Sequence, residues 1–217
     1  MSHQEIRDRL RANLLEFTRA AFKMLPSMDN PSILDIGCGS GLQTIELAKM
    51  CNGQITAIDI DIPALVALRK RVKDLGLSHR ISVKQGSMLD LNRVSDTYDI
   101  VWAEGSIFVV GFEKGIRDWK KLLSKDGFLV VHDEDAGLEQ KIKIIKKYEY
   151  RLRGQIRIPH EDWEERYYKP LLSVLSKKKL APEDEKKLRK EIDTFKRTRM
   201  GSVFFIMQNK LKPFWKR

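Results

Sequence analysis

Residues 32–41 read Ser-Ile-Leu-Asp-Ile-Gly-Cys-Gly-Ser-Gly, a short apolar run that stops on glycines at alternate positions. Without a Cβ, such residues let the chain turn sharply and let a ligand touch the main chain. A helical stretch follows from Gly41 to about Cys51, then a second apolar run, QITAID, and a helix from about Ile62 to Leu75. RISVKQG, YDIVWAE and GFLVVHD continue the rhythm as strands three, four and five, with a helix over roughly 112–124 between the last two. Strands alternating with helices of ~10–15 residues predict βαβ units and a parallel sheet.

Working outward, Ile6, Leu10, Leu14, Phe17, Ala21 and Phe22 recur near a 3.6-residue period over residues 4–24, which predicts an amphipathic helix stopped by Pro26. Downstream, Gly137 to Tyr148 reads as a helix, RLRGQIRIP as a sixth strand and SVFFIMQ as a seventh. From His160 to Met200 the sequence keeps helical periodicity with almost no glycine, and it is far longer than the ~4–6 residues of an ordinary loop. It is read as an inserted helical subdomain, with KKKLAPEDEKK as a solvated turn and Pro182 opening its second helix. The expected organisation is an N-terminal helix in residues 1–30, a ligand-binding core in 31–159 and 201–217, and a helical cap in 160–200.

The chain has 217 residues, of which 42% are hydrophobic and 33% charged, enough for one domain with an appendage. No apolar run approaches the ~18 residues of a membrane helix. The first 17 residues are charged throughout, with no apolar segment of a secretory signal. Cys38 and Cys51 cannot form a disulfide framework, and neither has a second Cys or a His at zinc-ligand spacing, so a reducing, cytoplasmic setting is expected. The net charge of +11 is uneven: residues 1–137 hold 18 basic and 19 acidic side chains, residues 138–217 hold 23 and 11. A basic region of this kind invites a nucleic-acid reading.

The glycine loop by itself fits either a tight strand-to-helix turn or a ligand cradle. In a dinucleotide fingerprint a third glycine would stand where this chain has Leu42. Asp35, two residues before Gly37, would repel a pyrophosphate and attract a ligand bearing an ammonium or sulfonium, which favours S-adenosyl-L-methionine over NAD. Asp59 ends the second strand, where a carboxylate can accept from both ribose hydroxyls, with Ile60 beside it. Asp61 is expected to cap the next helix. Gly86-Ser87-Met88 ends the third strand with a hydroxyl and an apolar side chain for the edge and face of a base.

On these residues the chain resembles the class I S-adenosylmethionine-dependent methyltransferases: ILDIGCGSG is similar to their cofactor loop, Asp59 to their ribose carboxylate and GSMLDL to their adenine segment. WAEGSIFVVGFEKGIRDWKKLLSKDGFLVV, RLRGQIRIPHEDWEERYYKPL and GSVFFIMQ further resemble a little-characterised small-molecule group named by similarity to ubiquinone and menaquinone biosynthesis enzymes. The resemblance implies the Rossmann-like methyltransferase fold, with cofactor contacts at Asp35, Gly37, Gly39, Gly41, Asp59, Ile60, Ser87, Met88 and Glu104. Two departures stand out. Ser87 occupies a position where many relatives have Asp, leaving the adenine amino contact to Asp90 or a backbone carbonyl. The aromatic-rich stretch that relatives carry after strand five is absent.

The expected architecture is therefore α/β: a doubly wound, seven-stranded, mostly parallel sheet with a reversed last strand and a helical insertion before it. Methyl transfer asks the protein to align a nucleophile and, for a weakly acidic one, to take its proton. Glu104, ending strand four, is the first candidate for that base, or else for a carboxylate holding the methionine amine. His160, after strand six, is the second candidate base. Trp163 and Tyr167, four apart on a helix, are candidates for an aromatic wall over the substrate. His132, Asp133, Glu134 and Asp135 with Glu104 could supply oxygen and nitrogen ligands, but the Asp-Asn pairing of metal-dependent O-methyltransferases is missing and no metal is assigned. His3 and His79 read as surface residues, Trp102 as core, and Cys38 as a small residue tolerated in the loop. The leading expectation is a small-molecule methyl acceptor, drawn as an anion by the basic cap. The alternatives are an RNA or ribonucleoprotein methyltransferase using the basic C-terminal region and a non-catalytic cofactor-binding module.

Overall fold

The structure, a computed structural model, describes residues 2–91, 96–177 and 180–210; the terminal basic side chains Lys212, Lys216 and Arg217 of the charge asymmetry lie outside them, as do Lys178 and Lys179 of the solvated turn. Seven strands form one sheet: β1 (Ser32–Ile36), β2 (Gln54–Asp59), β3 (Ile81–Gln85), β4 (Tyr98–Glu104), β5 (Leu123–Glu134), β6 (Tyr150–Ile158) and β7 (Ser202–Asn209). Their order is β3-β2-β1-β4-β5-β7-β6, with the first five parallel and β7 antiparallel to both of its neighbours. The strand order reverses between β1 and β4, so the chain leaves the sheet in opposite directions there and opens a crevice at the carboxyl ends.

The strands are apolar on both faces, as a sheet covered on both sides requires. Alternate side chains go to opposite faces. Ile33, Ile100, Trp102, Val130, Phe204 and Ile206 pack on one side with α3 (Leu42–Met50) and α4 (Ile62–Asp74). Leu34, Val101, Ala103, Leu129, Val131, Phe205 and Met207 pack on the other with α5 (Phe112–Asp118) and α6 (Leu138–Lys147). Trp102 is fully buried on the first face between Phe22 and Phe204, with ring centroids 6.3 and 6.1 Å away. β5 starts earlier than the sequence suggests, because Leu123 pairs with Tyr98 before a register shift, and the preceding helix accordingly ends at Asp118 with a short 3₁₀ turn over Trp119–Leu122.

The expected single N-terminal helix is two, α1 (His3–Arg11) and α2 (Leu15–Lys23), separated by a 3₁₀ turn at Ala12–Leu14. A capping box between Ser2 and Glu5 starts the first of them. The insertion before β7 consists of α7 (His160–Trp163), a π-helical turn (Glu164–Tyr168), α8 (Lys169–Lys177) and α9 (Pro182–Thr198). It packs on the N-terminal helices rather than standing alone. Arg7 lies 3.3 Å from Glu191, Asn13 Nδ2 donates to the Arg166 carbonyl at 3.0 Å, and Arg166 reaches Glu16. The cap over the strand ends is thus built from both ends of the chain.

β6 is an edge strand, and Arg151, Arg153 and Arg157 are exposed along it. Charge on an exposed edge opposes pairing with another chain, which accounts for part of the basic excess without any polyanion.

At the start of α3, Gly41 has φ +82°, and a Cβ there would lie 2.0 Å from Leu68 Cδ1. A non-glycine residue in this region costs about 1–3 kcal/mol before any clash. Gly41→Ala is therefore expected to lower the urea midpoint by a shift equivalent to at least ~1 kcal/mol, and an unchanged midpoint would show that the loop can adopt another path.

Candidate active site

Four strand ends converge on one cleft of ≈ 280 Å³ whose walls include Gly37, Asp59, Ile60, Ser87, Met88 and Ser106. The cleft also gathers exposed apolar side chains. Ile60 is 68% exposed, Phe108 70%, and Leu89 and Val109 more than half, and all four lie on its rim. A soluble protein leaves such a contiguous apolar patch open where it binds something. Phe108 and Val109 come from the segment after β4, which the sequence analysis did not single out; the run Ile-Phe-Val-Val directly after the Gly-Ser of that strand end was the available signal.

Within the loop, Gly39 has φ +53°, and a Cβ built on it meets nothing within 4 Å, so the main chain there faces open space where a ligand can approach. Gly37 instead backs onto Ser106 and Met88. Asp59 holds the loop from the neighbouring strand: its Oδ2 accepts from Gly39 N at 2.8 Å and its Oδ1 from Asp61 N at 2.9 Å. Asp61 caps α4 by accepting from Ala64 N at 3.1 Å. Cys38 is buried, and burial beside Asp35 and Asp59 pushes its thiol up, which makes it inert.

Asp35 does not line the cleft. It is fully buried beneath the loop, where Thr44 Oγ1 donates to its Oδ2 at 2.6 Å and its Oδ1 has no partner. Burial pushes its carboxyl up to about 7, aided by the charges of Glu104 and Asp59, so at neutral pH it carries only part of the charge the sequence analysis relied on. Its position suits holding the first turn of α3 more than contacting a cation.

Glu104, at the end of β4, accepts from Thr18 Oγ1 at 2.9 Å and from Trp102 Nε1 at 3.0 Å, and burial raises its carboxyl above the usual range. It borders a closed cavity of ≈ 50 Å³ together with Arg11, Gln43, Gly105, His132 and Trp163. A larger cavity of ≈ 740 Å³ lies under the cap, walled by Phe108, Trp163, Tyr168 and Phe195, with Arg7, Arg11, Lys187 and Lys190 set against the acidic Asp133, Glu134 and Glu191. Gly105 is common to the cleft and both cavities.

The aromatic wall differs from expectation in one residue. Tyr167 is fully buried and donates to Glu191 at 2.8 Å, while Tyr168 lines the cavity with Trp163. The cause is the π-helical turn between them, whose i→i+5 bonds bring residues five apart, rather than four, onto one face. His160 stacks on Phe195 with centroids 4.3 Å apart and lines neither cavity. The imidazole that does line both is His132, with Nε2 2.8 Å from Ser202 Oγ and its ring stacked between Phe204 and Trp163. Burial and the charges of Arg11 and Lys141 push it down to about 3, so it is neutral. Asp133 is engaged by Lys141, and no group of three or more His, Cys, Asp or Glu among the described residues is arranged to hold a metal ion. Arg7, Arg11 and Thr18 were missed because an amphipathic period assigns them only to a helix. The pair of like charges at Arg7 and Arg11, unfavourable four apart on a free helix, was the one available hint.

Residues 33–127 match a family model described as a methyltransferase domain. A release factor glutamine methyltransferase from Rhodopirellula baltica is 35% identical over 78 residues, covering 36% of this chain and 26% of that protein. The chain spans only 26–42% of the length of the first curated relatives it matches. Among solved structures, the cyclase SpnF superposes with a TM-score of 0.73 at 16% identity, over 91% of this chain and 81% of that one. A S-adenosylmethionine-dependent methyltransferase from Thiobacillus denitrificans, in complex with S-adenosylhomocysteine, gives 0.71 at 17% identity, over 90% and 91%. The fold is that of the class I methyltransferases.

The buried Asp35 makes a pH-dependent contribution to stability. Its folded value is raised to about 7 from 3.8, so its proton is lost more readily on unfolding, and stability falls as pH rises from about 4 through about 7. In Asp35→Asn that decline, at most roughly 1.4 kcal/mol per pH unit, should disappear from the pH profile of chemical unfolding. Parallel profiles for the two proteins would contradict the assignment.

Proposed function

We propose that this chain, whose residues 33–127 form a class I methyltransferase domain, transfers a methyl group from S-adenosylmethionine to a small molecule held beneath the helical cap. The observation carrying this is the convergence of four strand ends on one cleft that meets the capped cavity at Gly105.

The residues fit the cofactor. Asp59 is placed for the ribose hydroxyls, Ser87 and Met88 with Ile60 and Phe108 for the adenine, and the open face at Gly39 for close approach. Glu104 ends β4 on the wall it shares with Arg11, and its raised carboxyl is bound by Thr18 and Trp102. When bound, S-adenosylmethionine supplies an electrophilic methyl on a positively charged sulfur. The chain's own part is alignment and exclusion of water. Trp163, Tyr168, Phe195 and Phe108 supply apolar surface for an acceptor to lie against, and aligning two reactants in such a site contributes strongly to rate. Glu104 is already committed to Thr18 and Trp102, which favours a positioning role over that of a free base.

A protein acceptor is the second reading, because relatives carry the names release factor glutamine methyltransferase and ribosomal protein L11 methyltransferase. The aromatic side chains lining the space under the cap favour the small molecule. The RNA reading loses weight where arginines are accounted for by the edge of the sheet.

Calorimetry should show S-adenosylhomocysteine binding and no binding of NAD. Asp59→Ala is expected to weaken the former by roughly ten- to hundredfold, the range for hydrogen bonds to a charged group. With labelled S-adenosylmethionine and a cell extract, the label should appear below ~1 kDa; label confined to precipitable protein or RNA would reject the small-molecule acceptor.

A further inference from the structure

Most buried donors and acceptors in a folded protein are paired, so an unpaired one beside a cavity calls for an explanation. Arg11 Nε and His132 Nδ1 are both buried without a hydrogen-bond partner. Both side chains line the closed cavity of ≈ 50 Å³ and also the ≈ 740 Å³ cavity under the cap, and neither lines the cofactor cleft.

The proton positions follow from the neighbours. Trp163 Nε1 can only donate, and it donates to Ser202 Oγ at 2.8 Å. The other partner of that hydroxyl among the described residues is His132 Nε2, also at 2.8 Å. Ser202 has one proton to give, and giving it to Nε2 leaves the neutral ring with its own proton on Nδ1. Arg11 Nε always carries a proton. Two unsatisfied donors, one of them on a cation, therefore belong to side chains that line the same space. Arg11 has no carboxylate within 4.0 Å among the described residues. Glu104 shares the cavity wall and feels the Arg11 charge, but its oxygens accept from Thr18 and Trp102.

We propose that Arg11 and His132 form a carboxylate pocket, and that the carboxylate belongs to the methyl acceptor, a small organic acid whose apolar or aromatic body lies against Trp163 and Phe204. The proposal rests on the methyltransferase reading and names the class of molecule that site takes. The acceptor is favoured as the source because both side chains line the capped cavity and neither lines the cofactor cleft. A charge-assisted pair of bonds from a cation and a fixed imidazole matches a carboxylate's two oxygens.

The test is calorimetry of the full chain saturated with S-adenosylhomocysteine, titrated with benzoate and with benzamide, which share the ring and differ in charge. Benzoate is expected to bind at least about tenfold more tightly, and Arg11→Gln to remove that difference while leaving benzamide affinity and thermal stability unchanged. Nitrogen NMR of the unsubstituted protein should find the His132 proton on Nδ1, a readout that needs no variant. Equal binding of the two probes, a preference that survives Arg11→Gln, or a proton on Nε2 would overturn the pocket. If Arg11→Gln instead weakens S-adenosylhomocysteine and leaves 5′-methylthioadenosine unaffected, the pocket holds the cofactor's own carboxylate, and the acceptor assignment is overturned. Failure of S-adenosylhomocysteine to bind at all would reject the methyltransferase reading, while the benzoate and benzamide comparison on the cofactor-free chain would still decide the pocket.

Discussion

The carboxylate of Asp8 ties the site together. It is buried on the first N-terminal helix and accepts from Ser40 Oγ at 2.6 Å, from Arg71 Nη2 at 2.7 Å and from Gln4 Nε2 at 2.8 Å. Those partners belong to the glycine loop, the second crossover helix and the N-terminal helix itself. A charge removed from water survives in the fold only when its lone pairs are satisfied, so the three elements are bound to one geometry. With α1 held in this way, Arg11 lies beside Gly105 and the following helix brings Thr18 to Glu104. α1 also meets the cap through Arg7 and Glu191. Loop, cap and strand ends are therefore one constellation.

Electrostatics in this constellation is set by burial more than by formal charge. Asp35 and Glu104 both lie at the carboxyl ends of neighbouring strands, and each is raised by desolvation. His132 is held neutral beside two cations for the same reason. The basic surplus of the chain divides between structural uses, such as the arginines of edge strand β6 and the ion pairs of the cap, and the cations around the capped cavity. A single net charge hides this division.

Much of the architecture was legible because strands and helices write their periods into the sequence. Ile33 and Leu34, or Trp102 and Ala103, go to opposite faces by simple alternation, and the glycine loop marks where the first strand ends. The cleft residues Gly37, Asp59, Ile60, Ser87 and Met88 were each found from a position at a strand end, and the structure gathers them on one cleft. Legibility failed where the period itself changes. A regular helix puts Trp163 and Tyr167 on one face, but the π-helical turn exchanges Tyr167 for Tyr168.

The sequence by itself determined the doubly wound sheet, the cleft at its strand ends and the helical segment before the last strand, because these follow from local periodicity and from residues close together along the chain. Only the tertiary structure decided that Asp35 lies beneath the loop, that His132 rather than His160 lines the cavities, and that the two N-terminal helices supply Arg11 and Thr18 to a site shared with Glu104, His132 and Trp163. Those choices depend on burial and on partners brought together across long separations. Desolvation and hydrogen-bond satisfaction act on neighbours in space, and a one-dimensional pattern does not contain them.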